Sequence, residues 1–200
     1  NADDERLKIR GEAFEGNAAW YGLSLNEQDC LTAGRAACVV DDVLTLFKEG
    51  VAIPILPVKD FAPALGGAAA YNVSNALGAI LLMSVMGVDP AAIKQGLLSF
   101  GSNVEDNPGR GNFMTVGGVN IILDFAHNPH GLSALTEALN NVPAKRRLYL
   151  CGQGGDRSDQ DIYDLTKVIR DANPEAIIVK ELPTKLRGRE PGEVPALIHR

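Results

Sequence analysis

Val119-Asn120-Ile121-Ile122-Leu123-Asp124-Phe125-Ala126-His127-Asn128-Pro129-His130-Gly131-Leu132 is the stretch on which the reading of the fold turns. It opens as an apolar strand, Val119 to Phe125, and breaks at Ala126-His127-Asn128-Pro129-His130-Gly131. A helical pattern follows, with Leu132, Leu135 and Leu139 on one face. Strand, loop and helix in direct succession mark the place where open α/β sheets bind their ligands. Asp124 closes a strand otherwise made of Ile and Leu, where a buried carboxylate costs free energy unless a ribose, an amine or a metal meets it. A plainer reading has Asp124 capping the turn that follows.

Working outward, the strand pairs with Phe113 to Val116 through a turn at Gly117-Gly118. After the helix come a strand at Arg147 to Cys151, a glycine-rich loop from Gly152 to Ser158, and a helix to about Asp171 with Ile162, Leu165, Val168 and Ile169 inward. A third strand at Ala176 to Val179 and a helix over Gly192 to His199 complete this half. Strands alternating with helices predict an α/β fold with a parallel, nucleotide-type sheet. The glycine loop is spaced G-x-G-G, so the G-x-G-x-x-G of a Rossmann oxidoreductase is absent and that hypothesis is weaker. Asp124, His127 and His130 have a spacing that would clasp a hydrolase metal. Pro129 and Gly131 make the segment a loop, His130 reads as the start of the helix, and no metal ligand is assigned.

The first half reads differently. Residues 1 to about 65 look irregular and strand-rich, with antiparallel strands at Thr32 to Val40, Val43 to Phe47 and Val51 to Val58 turning at Asp41-Asp42 and Lys48-Glu49-Gly50. Trp20 and Tyr21 read as packing. A helix capped by Asn72 runs to about Met86, burying Val73, Leu77, Ile80 and Leu81, and Asp89-Pro90 starts another through Phe100. Asn72 and Asn75 share a face of the first turn. Their amides can present donors and acceptors to a purine edge, or Asn72 simply caps while Asn75 bonds backbone. Gly101 to Asn112 reads as a linker, in which Arg110 either reaches a phosphate or ribose or is a solvated charge.

Composition narrows the class. An apolar share of 46% with 22% charged residues suffices for a sizeable core, in one large domain or two small ones. A net charge of −6 argues against nucleic acid as a partner, and Lys145-Arg146-Arg147 is the one dense basic cluster. Cys30, Cys38 and Cys151 form no C-x-x-C pair, which points to reduced thiols in the cytoplasm. Residues 61–88 carry no charge, but Asn72, Ser74, Asn75 and Ser84 interrupt them and no basic flank bounds them; a buried helix, not a membrane span, is expected. The acidic, polar start argues against a signal peptide, and its lack of Met suggests the interior of a longer polypeptide.

The motifs together resemble the Mur ligase superfamily, ATP-dependent enzymes that join a carboxylate to an amine. Asp124-Phe125-Ala126-His127-Asn128-Pro129 looks like its D-x-A-H-N-P segment, and Tyr71-Asn72-Val73-Ser74-Asn75-Ala76 like its H-N-x-x-N-A helix start, with Tyr71 in place of His. Pro108-Gly109-Arg110, Gly154-Gly155-Asp156-Arg157 and Asn1-Ala2-Asp3-Asp4 are similar to further segments of that family. Leu186-Arg187-Gly188-Arg189-Glu190-Pro191-Gly192-Glu193-Val194 resembles its cyanophycin synthetase subgroup.

The resemblance implies that residues 1–107 are the C-terminal portion of the central, ATP-binding domain and that 108–200 are a Rossmann-like, truncated C-terminal domain. It implies ATP and Mg²⁺ as cofactors, an amino acid and a peptide-like carboxylate as substrates, and allows a homo-oligomer. Asn72 and Asn75 would hold adenine, Arg110 the nucleotide and Asp124 the ribose hydroxyls. His127 would lie near the γ-phosphate, Asn128 would orient the reacting groups, and Arg187 and Arg189 would stand near the incoming amino acid, unless they form a solvated basic loop. No G-x-x-x-x-G-K-[ST] occurs in the chain, so the phosphate loop and the Mg²⁺ ligands are expected outside it. These residues alone are expected to bind ATP weakly and not to catalyse. Other Mur-type peptide ligases, and a nucleotide-binding module without ligase activity, remain alternatives.

Overall fold

Paired left-handed residues set the strands of the first unit. The computed structural model describes residues 1–101 and 103–199 and divides into two units, Asn1–Leu123 and Asp124–Arg200. Strands β2 (Arg35–Val40) and β3 (Val43–Lys48) reverse at Asp41 and Asp42, with φ of 46° and 60°; β3 and β4 (Val51–Pro57) reverse at Glu49 and Gly50, with φ of 54° and 77°. Positive φ at both central residues matches the right-handed twist of the flanking strands. Pro54 cannot donate to a ladder, and it lies on the edge strand β4, where the register with β3 shifts between Leu44 and Thr45. On the other side β1 (Trp20–Tyr21) runs parallel to β2, which completes the order β1-β2-β3-β4.

Alternation along β2 divides the core. Ala37 faces helices α3 (Ala70–Val85) and α4 (Pro90–Ser99), packing with Leu44, Leu46, Ile55 and Leu56 of the sheet against Val73, Ala76, Leu77, Ile80, Ile93 and Leu97. Ala36, Cys38 and Phe47 form a second cluster with Cys30 of helix α2 (Glu27–Thr32). The sheet is therefore covered on both faces.

The strand-rich reading of the first residues is corrected in two places. Helix α1 (Glu5–Glu12) is capped by Asp4, whose carboxylate accepts from the Arg6 and Leu7 amides, and α2 replaces the expected start of β2 at Thr32. Helix α1 buries no side chain and α2 buries Cys30 alone, so neither carries the apolar stripe that periodicity detects. Helix α3 is also capped differently: Ala69 is its N-cap and Asn72 lies inside the first turn. Two strands, β5 (Asn112–Val116) and β6 (Val119–Leu123), form a hairpin turning at Gly117 and Gly118; β6 ends two residues short of the expected Phe125 and pairs with β5 alone, as a separate two-stranded sheet. Among the described residues no helix is long and apolar enough to cross a membrane.

In the second unit β7 (Leu148–Cys151) and β8 (Ala176–Val179) are parallel, joined through helix α6 (Asp159–Asp171). Helices α5 (Pro129–Asn140) and α6 bury Leu132, Leu135, Ile162, Leu165 and Ile169, and helix α7 (Glu193–His199) adds Val194, Leu197 and Ile198. Val168 is half-buried and Thr166 is buried in its place, with its hydroxyl donating to the Ile162 carbonyl at 2.7 Å. A reciprocal bond pair between Ser158 and Asp161 caps α6.

Two outcomes follow for the first unit. Leu77 has no exposed surface and sits at the centre of its core, so Leu77→Ala should cost about 2–5 kcal/mol by urea unfolding, and a loss below about 1 kcal/mol would contradict this packing. Burial, reinforced by Cys38, pushes the Cys30 thiol from 9.0 up to about 12. The unfolded thiol ionises first, so this stabilisation is intact below pH 9 and is lost as pH rises toward 12. The urea midpoint of the parent should fall more steeply over that window than the midpoint of Cys30→Ala.

Candidate functional site

The second unit brings two loops together at the carboxyl ends of its parallel strands, the end at which such sheets place ligands. Residues 152–158 leave β7 and residues 180–192 leave β8. The Lys180 amide donates to the Cys151 carbonyl at 2.8 Å and the Gly155 amide to the Lys185 carbonyl at 2.9 Å. Two glycines permit the approach. A Cβ at Gly152 would collide with the Lys180 carbonyl oxygen, and one at Gly155 with that of Leu186. Gly192 donates its amide to the Glu181 carboxylate and closes the second loop on itself.

Charged groups tie the loops further. Arg187, at a left-handed φ of 50° just before Gly188, donates to Asp156 Oδ2 at 3.0 Å, and both side chains are about half exposed. Arg189 is 14% exposed and donates through Nε to the Gly155 carbonyl at 3.1 Å and through Nη2 to the Arg157 carbonyl at 2.7 Å. The same group reaches Asp159 Oδ1 at 2.8 Å and Glu193 Oε1 at 2.6 Å, and these carboxylates hold its proton more firmly than usual. The solvated-loop alternative thus describes Arg187 better than Arg189. Reading the sequence did not single out Asp159 and Glu193; the signal available was their carboxylates at the starts of two helices.

The segment that opens this unit is lightly bonded. Half-buried Asp124 accepts from the Ala126 amide at 2.6 Å, the local turn of the plainer reading. Its strand has already ended at Leu123, so the carboxylate does not lie within a buried ladder. Exposed His127 lies against Phe125 with ring centroids 5.2 Å apart, and Asn128 caps α5, accepting from the Gly131 amide at 2.8 Å. His130 is in the first turn of α5. Among the described residues no group of three His, Cys, Asp or Glu side chains could hold a metal ion, so the Asp124, His127 and His130 clasp is not formed.

In the first unit, Asn72 and Asn75 do meet, on successive turns at the start of α3. Asn72 Nδ2 donates to the Pro63 carbonyl at 2.8 Å, and its Oδ1 accepts from Asn75 Nδ2 at 3.4 Å. Asn75 therefore bonds a side chain, where backbone was the expected alternative. Arg110 lies in a segment that Asn112 braces, its side chain accepting from the Gly109 amide at 2.6 Å and donating to the Asn107 carbonyl at 3.1 Å.

Residues 109–196 match the family described as Mur ligase, glutamate ligase domain. Over 99% of its length the chain is 31% identical to a cyanophycin synthetase of Crocosphaera subtropica, of which it covers 23%, so it spans less than a quarter of that relative. It is 37% identical over 44% of its length to a UDP-N-acetylmuramoyl-L-alanyl-D-glutamate--2,6-diaminopimelate ligase of Clostridium tetani, of which it covers 18%. A solved ligase of that same description aligns with 90% of this chain and 34% of its own, with a TM-score of 0.46 and 19% identity.

Gly155→Ala should cost about 1–3 kcal/mol in thermal unfolding, because the obstacle is backbone and cannot swing aside. Gly154→Ala should cost less, since the atom its Cβ meets is the end of the Asp156 side chain. Equal losses for the two would contradict the loop contact.

Proposed function

The chain belongs to the Mur ligase superfamily, and from that premise we propose that it forms part of an ATP-dependent carboxylate-amine ligase of the cyanophycin synthetase type, adding an amino acid such as arginine. The observation that carries this reading is the likeness to cyanophycin synthetases along 99% of the chain. In the proposed reaction a substrate carboxylate oxygen attacks the γ-phosphorus of ATP, the β,γ-bridging bond breaks, and ADP leaves. The amine of the incoming amino acid then attacks the acyl carbon, loses a proton, and expels phosphate as the amide forms. Such chemistry asks the protein for positioning and for charge neutralisation more than for covalent participation.

Each unit contributes its own groups. In the first, the linked amides of Asn72 and Asn75 are proposed to take the adenine edge, and Arg110 to contact the nucleotide. In the second, Asp124 accepts from the ribose hydroxyls, His127 lies near the γ-phosphate and Asn128 orients the reacting groups. We place the incoming amino acid at the loop of Arg187 and Arg189. No residue of this chain is assigned to Mg²⁺, and residues 1–107 and 108–200 are read as parts of the central and C-terminal domains. A cytoplasmic location and possible assembly of like chains belong to the same proposal. The likeness to a diaminopimelate ligase favours one second reading, a Mur-type peptide ligase with a different amino acid.

The test is ADP release by the intact protein given ATP, Mg²⁺, an aspartate-rich peptide primer and single amino acids including arginine. Arginine-dependent release is the expected result. Loss of one pair of ribose hydrogen bonds in a folded Asp124→Ala protein should raise the KM for ATP about tenfold. Release driven by another amino acid alone would favour the second reading, and none with any amino acid would overturn the ligase assignment.

A further inference from the structure

We propose that Arg189 is a positioning residue that never touches substrate, and that it works by holding Asp156 in place for Arg187. This rests on the ligase reading for its functional consequence and on geometry alone for its structural one. A guanidinium carries five N–H donors. Arg189 commits its Nε donor, both donors of Nη2 and one of Nη1, to Gly155, Arg157, Asp159 and Glu193 respectively. One donor remains, and a fork onto a carboxylate needs two parallel ones. The carboxylates of Asp159 and Glu193 already lie against it and would repel a third.

What Arg189 grips explains its use. Its two backbone acceptors, the carbonyls of Gly155 and Arg157, flank Asp156 on both sides. Asp156 is the partner of Arg187, whose guanidinium makes this bond from a more exposed position, 52% against 14% for Arg189. The carboxylate anchors lie on α6 and α7, so the clamp fastens the glycine loop to the starts of two helices. With Gly155 pressed on Leu186, the loop is held from both sides. Arg187 thus meets an Asp156 whose backbone is fixed, and the pair is set before any amino acid arrives.

The experiment is hydrogen exchange of the ligand-free intact protein, joined to steady-state kinetics with ATP and the amino acid that supports ADP release. Arg189→Met should speed exchange of the 154–158 amides about tenfold, leave α3 unchanged, and raise the KM for the amino acid about tenfold while the KM for ATP stays within about twofold. Arg187→Met should raise the same KM without changing exchange. Arg189→Lys should not rescue, since a single ammonium cannot span four acceptors. Asp159→Asn combined with Glu193→Gln, which leaves Arg189 intact, should reproduce both effects, and it serves if Arg189→Met fails to fold.

Unchanged exchange in Arg189→Met, or a raised amino-acid KM that Lys restores, would overturn the proposal. So would a double variant whose exchange and KM both match the parent. If no amino acid drives ADP release even in the parent, the ligase reading fails by itself, and the exchange measurements still decide whether the clamp exists.

Discussion

The second unit depends on a backbone approach that leaves no room for a side chain. Where the loop after β7 passes the loop after β8, Gly155 meets the Leu186 carbonyl and its amide bonds the Lys185 carbonyl. Parallel strands leave both loops at one end of the sheet, so they must either part or pack. Packing means that polar backbone groups lose water and need partners. The Arg189 guanidinium supplies them, accepting no bonds and donating to two carbonyls at once. Glycine creates the contact and arginine satisfies its consequences.

The first unit solves a different problem with the same economy of side chains. Ala36, Ala37 and Cys38 are consecutive, small and fully buried, so β2 is covered closely from both faces. Helix α3 lies on one and α2 on the other. A charge-free stretch that is long enough on paper to suggest a membrane is explained by this burial, since α3 sends Val73, Ala76, Leu77, Ile80 and Leu81 into a protein core.

Much of this was legible in the sequence because periodicity and turn chemistry are local. The strands at Val43, Val51 and Ala176, the turns at Asp41-Asp42, Glu49-Gly50 and Gly117-Gly118, and helices α4 and α6 stand close to where pattern alone puts them. Helices α1 and α2 were not legible, because capping and docking of polar helices leave no apolar stripe. Asn72 was misread as a cap because its side chain finds the Pro63 carbonyl, nine residues back, a partner that only the folded chain supplies. The same limit applies to the arginines. Arg187 and Arg189 look alike in a basic loop, and only the positions of Asp159 and Glu193 separate a half-exposed ion pair from a saturated clamp.

Hydrogen-bonding commitment separates groups built into the scaffold of this unit from groups held by a single bond. A side chain with nearly all its donors taken cannot greet a substrate without dismantling the fold, whereas one held by a single exposed bond can exchange partners at small cost. Arg189 is of the first kind. Arg187, Asp124 and Asn128 are of the second, each with one side-chain bond among the described residues, made to a neighbouring loop or to its own turn. Asp124 spends one oxygen on the Ala126 amide, which fixes the direction of its carboxylate, and a second oxygen is the group a pair of vicinal hydroxyls would seek. The residues that resemblance assigns to the nucleotide, the reacting groups or the amino acid and those that geometry leaves lightly bonded coincide at Asp124, Asn128 and Arg187, and Arg189 is where the two criteria part.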